Sequence, residues 1–228
     1  MIIYGKQTCL YALQKHGEKI ETIYLNKLSL LPKPLLKEFG SKIKTIENKW
    51  AQKLSHSGNH QGILVEMQEP KEPSLETLKK EEFIIVLDGL TDVGNIGAIV
   101  RSAYALGADA IIASGVSQLN IPAITRTSSG AALDLPLLVV PNILDLLNEL
   151  SQVGFELYGA DLEGAPLQDA TFAQKRVLLL GSEGKGISKR AKEKLDEVYK
   201  IEMKRDFDSL NVSAAAAIFI HRMSYAIK

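Results

Sequence analysis

Phe83-Ile84-Ile85-Val86-Leu87-Asp88-Gly89-Leu90-Thr91-Asp92-Val93-Gly94-Asn95-Ile96-Gly97 is the stretch on which the fold turns. Its first five residues are apolar without a break, as in a strand buried on both faces of a parallel sheet. A polar, glycine-bearing loop follows, and then a helical pattern over about 96–106, with Asn95 where an N-cap belongs. Strands are expected at 110–113, 137–140, 156–160, 177–180 and 197–201, with helices over 143–153 and 211–226. Strands alternating with helices imply an α/β fold with a parallel sheet.

In such a sheet ligands bind beyond the carboxyl ends of the strands. Three loops there carry unusual chemistry: 88–95, 181–187 and 202–210. The first runs into a helix bearing Arg101, whose guanidinium suits a phosphate or a developing oxyanion. The second, Gly181-Ser182-Glu183-Gly184-Lys185-Gly186-Ile187, has three glycines that let backbone wrap a small molecule. Its G-x-x-G-x-G spacing departs from the dinucleotide fingerprint, and Ile187 stands where a P-loop needs lysine. Glu183 is placed either to accept hydrogen bonds from a substrate or to cap the next helix. The third presents Ser209 and Asn211 at a helix start, ahead of the alanine run 214–217. Taken singly, the first and third loops read as ordinary capping ahead of chemistry.

Taken in order, Asn95-x-Gly97-x-x-x-Arg101, Gly181-Ser182-Glu183-Gly184 and Ser209-Leu210-Asn211-Val212-Ser213 resemble the three motifs of the SpoU-type RNA 2′-O-methyltransferases of the SPOUT superfamily. Ser128-Ser129-Gly130-Ala131-Ala132 is similar to the segment between the first and second motifs. The resemblance spans roughly 83–223 and implies a C-terminal trefoil knot, a homodimer and S-adenosylmethionine as methyl donor. It places cofactor contacts at Gly181, Ile201 and Leu210. Arg101, Glu183, Ser209, Asn211 and Asn95 fall at the reaction centre, with Arg101 foremost. Two positions depart from the family pattern: Glu202 where proline is usual, and Arg222 where glutamate usually closes the last helix.

Ahead of the decisive stretch, residues 1–60 hold 10 Lys and no Arg against 4 Glu and no Asp, whereas 83–228 hold 14 basic and 17 acidic side chains. Net charge is zero while the front is basic, which suits a binding arm joined to a catalytic body or, equally, a solvated lysine surface. Helices are expected over 6–16, 34–39 and 48–54, and strands over 20–25, 42–46 and 63–67. Tyr4-Gly5 and His60-Gln61-Gly62 resemble the small substrate-binding domain, related to ribosomal protein L30e, found in many SpoU members. The expected division is 1–68 for this α/β domain, 69–82 for a linker containing Pro70 and Pro73, and 83–228 for the methyltransferase domain.

A single cysteine, Cys9, excludes an internal disulfide and a thiolate metal cluster. No apolar run reaches membrane length, and the N-terminal residues carry no secretion signal. A cytoplasmic enzyme is expected, with no metal and no membrane partner. Its expected substrate is structured RNA, with a 23S rRNA guanosine ahead of tRNA. A non-catalytic RNA-binding protein of the same fold is the rival reading, and a dinucleotide-dependent oxidoreductase is a distant third.

Overall fold

The computed structural model describes residues 1–182 and 184–228; Glu183, expected at the reaction centre, lies outside the described residues. The chain builds two sheets. The first uses β1 (Ile2–Tyr4), α1 (Lys6–Lys15), β2 (Ile20–Leu25), α2 (Lys33–Glu38), β3 (Ile43–Thr45), α3 (Asn48–Leu54) and β4 (Ile63–Met67). Its strand order is β1-β4-β2-β3. β4 runs antiparallel to β1 and β2, while β3 lies parallel to β2 at the edge. Ile3, Leu13, Ile23 and Val65 form its core together with Cys9, whose thiol pKa is pushed up by burial. β1 is absent from the sequence-based expectation, because three residues are too few to show a period of two.

Next come α4 (Leu75–Leu78), β5 (Phe83–Asp88), α5 (Val93–Ala105), β6 (Ala110–Ser114), α6 (Ile121–Thr127), β7 (Leu137–Val140) and α7 (Ile143–Gln152). The chain then adds β8 (Glu156–Pro166), β9 (Arg176–Leu180), α8 (Lys189–Lys192), β10 (Glu197–Lys200) and α9 (Val212–Tyr225). The six strands lie in the order β10-β8-β9-β5-β6-β7 and every neighbouring pair is parallel.

β5 explains the layering. Ile85 and Leu87 point to one core, shared with Ile99 and Val100 of α5 and Phe219 and Ile220 of α9. Ile84 and Val86 point to the other, shared with Leu146, Leu147 and Leu150 of α7 and Ala191 of α8. The uninterrupted apolar run is thus a central strand with helices on both faces. The stretch expected as linker contributes α4, capped by Ser74, and Leu78 is buried in this second core.

Three further departures from expectation have local causes. α5 begins at Val93 rather than 96 because Asp92, not Asn95, is its N-cap. Asn120 caps α6, and Pro122 sits in its first turn, where proline costs no hydrogen bond; this helix was not anticipated. β8 continues to Pro166, and the ladder with β10 jumps from Val198↔Gly159 to Tyr199↔Ala165, so residues 160–164 leave the pairing.

The two sheets are docked by side chains. Leu133 inserts into the front core, and the Tyr11 ring packs where Gly130, at φ +103°, leaves no room for a Cβ. The Tyr11 hydroxyl donates to Asp134, whose other oxygen lies 3.2 Å from His16 Nε2. Among the described residues no helix is long and apolar enough to cross a membrane.

Candidate active site

The chain leaves β5 for α5 on one face of the sheet and leaves neighbouring β9 for α8 on the other. Loops that diverge this way open a crevice at the carboxyl ends of the strands. The backbone there is kept close by glycine. Gly89, at φ +69°, would bring a Cβ within 3.7 Å of Ser182 Cβ, and its N–H donates to the Ser114 carbonyl at 2.8 Å, tying the β5 and β6 exits. Gly181 has no space for a side chain, since a Cβ would lie 2.1 Å from the Gly186 carbonyl carbon. Gly186 N–H donates to the Ser182 carbonyl at 3.0 Å, so the second loop closes on itself. Asp88, at the end of β5, has its carboxyl pKa raised by burial.

Asn95 is not the cap of α5. The Asp92 carboxylate accepts from Asn95 N–H at 2.7 Å, which leaves the Asn95 amide side chain to project from the first turn. Asn211 caps α9: its Oδ1 accepts from Ser213 N–H at 2.8 Å and Ser213 Oγ at 2.6 Å. Its Nδ2 donates to Asn95 Oδ1 at 3.0 Å. Two residues 116 apart in sequence thereby meet, at the starts of α5 and α9, which pack side by side.

Arg101 lies on the exposed side of α5, six residues beyond Asn95 and hence less than two turns away. Its Nη1 donates to Ser129 Oγ at 3.5 Å. Ser129 is a non-glycine residue at φ +57°, a conformation that is uncommon and concentrates at functional sites. The turn is held in place through Gly97 and Thr127. A Cβ on Gly97 would lie 1.9 Å from Thr127 Oγ1, and that hydroxyl donates to the Val93 carbonyl at 3.0 Å. Sequence reasoning did not single out Asp92 or Thr127. An acidic residue three positions before Asn95 was the available signal for the cap; Gly97 itself signals a close approach of other backbone or a ligand to the first turn, but nothing in the sequence names Thr127 as what approaches.

The remaining expected residues form a looser group. Ile201 is half-buried against the α5/α9 core, whereas Ser209 and Leu210 stand exposed on the loop before α9. Glu202 is exposed. Arg222 reaches back from α9 to donate to the Ala170 carbonyl at 2.9 Å. A cavity of about 420 Å³ opens between the β5 and β6 exits, lined by Leu90, Ile96, Val116 and Leu119 among others, and neither Arg101 nor Asn211 borders it. Among the described residues no group of three His, Cys, Asp or Glu side chains is placed to hold a metal ion.

Chemically, the site combines a guanidinium, two linked carboxamides and a backbone-lined, glycine-rich crevice. Such a set has the groups needed to orient an oxygen nucleophile and stabilise charge on it beside a ligand held by backbone groups.

Residues 82–221 match the SpoU rRNA methylase family. Residues 2–73 match the RNA 2′-O-ribose methyltransferase substrate-binding family. The chain is 30% identical over 234 residues to the 23S rRNA (guanosine-2′-O-)-methyltransferase RlmB of Yersinia pestis, covering 95% of this chain and 94% of that one. It is 38% identical over 150 residues to an uncharacterized tRNA/rRNA methyltransferase of Borreliella burgdorferi, covering 64% of this chain and 66% of that protein's length. Among solved structures, the SpoU methyltransferase AviRb from Streptomyces viridochromogenes, in complex with the cofactor AdoMet, superposes with a TM-score of 0.77 at 26% identity, covering 98% and 89% of the two chains.

Proposed function

The chain belongs to the SpoU family of rRNA methylases, and from that premise we propose that it transfers the methyl group of S-adenosylmethionine to a ribose 2′-hydroxyl, of a guanosine in 23S rRNA. The observation that carries this reading is the Asn95–Asn211 hydrogen bond of 3.0 Å, which joins the first and third motifs at the foot of the helix bearing Arg101. The target is argued from coverage: the relative named for 23S rRNA matches 95% of this chain, basic front module included. Residues 1–68 are then the RNA-binding domain and 83–228 the catalytic one, working in the cytoplasm.

The crevice fits the methyl donor. Its walls at Gly89 and Gly181 are backbone, and Ile201 and Leu210 supply aliphatic surface nearby in sequence to the Asn211 cap. S-adenosylmethionine, when bound, supplies an electrophilic methyl carbon. Gly181, Ile201 and Leu210 hold it chiefly through backbone groups. Guanidinium groups keep their proton throughout the working pH range. Arg101 therefore acts as a donor, stabilising charge that develops on the 2′-oxygen and on an adjacent phosphate, while the hydroxyl proton departs to water or another group. Asn95, Ser209, Asn211 and Glu183 set the ribose in line for attack, where positioning contributes about 7–11 kcal/mol in favourable cases.

A homodimer and a trefoil knot belong to the same reading. Exposed Ile218 and Tyr225, seven residues and so about two turns apart on α9, support the first. The second is supported by β10 lying beyond β8 from β9 while α9 returns to α5, with Phe172 N–H donating to the Ala226 carbonyl at 2.9 Å.

The test is transfer of labelled methyl from S-adenosylmethionine into 23S rRNA, with the modified ribose mapped. Arg101→Lys is expected to lower kcat about 10²-fold or more with the donor's Kd unchanged, as for loss of an oriented oxyanion donor. Near-normal turnover would remove the role of the forked guanidinium.

A further inference from the structure

The carboxyl ends of β1, β2 and β3 and the amino end of β4 lie at one end of the front sheet. The loops gathered there carry Trp50, the chain's single tryptophan, on α3. Only Ala51 of that helix is buried, and Trp50 is 57% exposed. An indole left this open is unusual, because aromatic rings are normally covered by the protein or by a partner.

Charge says what the partner is. From residue 39 to residue 65 the chain has four lysines and one carboxylate, Glu47. Lys53 Nζ stands 5.2 Å from the centroid of the Trp50 ring, and Lys49 is exposed beside it. A flat aromatic face flanked by cations is the combination that stacks a base and neutralises its phosphate. A polypeptide partner would need an apolar surround, whereas Lys53 stands over the ring and Lys49 and Gln52 are exposed on the same short helix.

Placement links this ring to the catalytic helix. At the end of α3 the backbone turns through His56 and Ser57, both non-glycine residues at positive φ. The same loop reaches Gln61, whose side-chain oxygen accepts from Lys6 N–H at 2.8 Å. Tyr4 packs against Gly58 and lies under the Arg126 guanidinium, 5.5 Å from its ring centroid. The Arg126 carbonyl accepts from Ser129 N–H at 3.1 Å, and Ser129 is the residue that Arg101 contacts. A chain of contacts thus connects the loop after α3 to Arg101 across both domains.

Resting on the RNA reading above, we infer that Trp50 is a stacking platform for an unpaired base of the substrate RNA, held on the same strand or loop that presents the target ribose to Arg101. The ring selects RNA with splayed bases over continuous duplex, because only an unstacked base offers its face.

With one tryptophan in the chain, its emission reports on this site directly. Titration with a hairpin RNA bearing an unpaired loop is expected to quench it, and the same stem closed into a full duplex is expected to leave it nearly unchanged. Trp50→Ala is expected to raise KM for 23S rRNA about tenfold with kcat and the Kd for S-adenosylmethionine unaltered, and Trp50→Phe to recover most of the loss. Emission indifferent to hairpin RNA, an unchanged KM in Trp50→Ala, or emission that follows protein concentration alone (contact between copies) would each overturn the assignment. Quenching by the hairpin without any methyl transfer would support the platform and sink the enzymatic reading. Transfer with a normal KM in Trp50→Ala would do the reverse.

Discussion

At the scale of single residues, the site depends on which polar groups cap a helix and which bond across to another one. Asp92 takes the cap of α5, so the Asn95 amide reaches Asn211; had Asn95 been the cap, as its position suggested, its oxygen would have been occupied by backbone. Asp88 shows the opposite economy. Its carboxylate is desolvated at the crevice floor, which raises its pKa. A carboxyl whose folded value lies above its unfolded value destabilises the fold at neutral pH, and the penalty fades as pH falls through the folded and then the unfolded value. Asp88→Asn is therefore expected to raise the stability measured by urea unfolding at pH 7, with the gain shrinking towards zero below the usual aspartate range. A constant difference across pH would show that desolvation is not the cause.

At the scale of elements, the central strands and the closing helix were legible because their patterns are strong. Phe83 to Leu87 has no polar residue to confuse its period, and the strand expected at 137–140 and the helix expected at 48–54 have the bounds observed. α6 was not legible: Ile121 and Pro122 open it, and a proline beside an isoleucine reads as loop unless the Asn120 cap is noticed. Nor was the extension of β8, since the register jump against β10 is a property of two strands and not of either alone. For the site, the ordered motifs pointed to Asn95, Arg101 and Asn211 before any contact was known, but Thr127 and its fit against Gly97 are tertiary facts. The exposed side of α9 carries a prediction of its own. Ile218, 43% exposed, lies about two turns from exposed Tyr225. Under the proposed homodimer, Ile218→Asp is expected to lower the sedimenting mass at micromolar concentration from two chains to one, because a charge in an apolar contact loses its hydration. An unchanged mass would remove this side of α9 from the proposed contact.

At the scale of the whole molecule, the two sheets are joined where α1 meets α6 and the segment after it. Tyr11 is one fastening, with its hydroxyl bonded to Asp134 and 3.2 Å from the Tyr104 hydroxyl. Tyr11→Phe keeps the ring against Gly130 but removes those bonds. It is expected to cost about 1 kcal/mol of docking, seen as faster amide exchange in 69–74 and 130–134 with the rest of both sheets unaffected; uniform protection would show that packing alone holds the domains. The pairing of Asn95 with Asn211 has one more consequence, in the order of synthesis. Asn95 is synthesised 116 residues before its partner, which opens α9, the helix whose end is bonded to Phe172 through Ala226 and Lys228. A nascent chain halted before α9 would therefore hold the strands of both sheets yet lack this joint, so under the proposed mechanism the growing polypeptide stays catalytically silent until α9 is made.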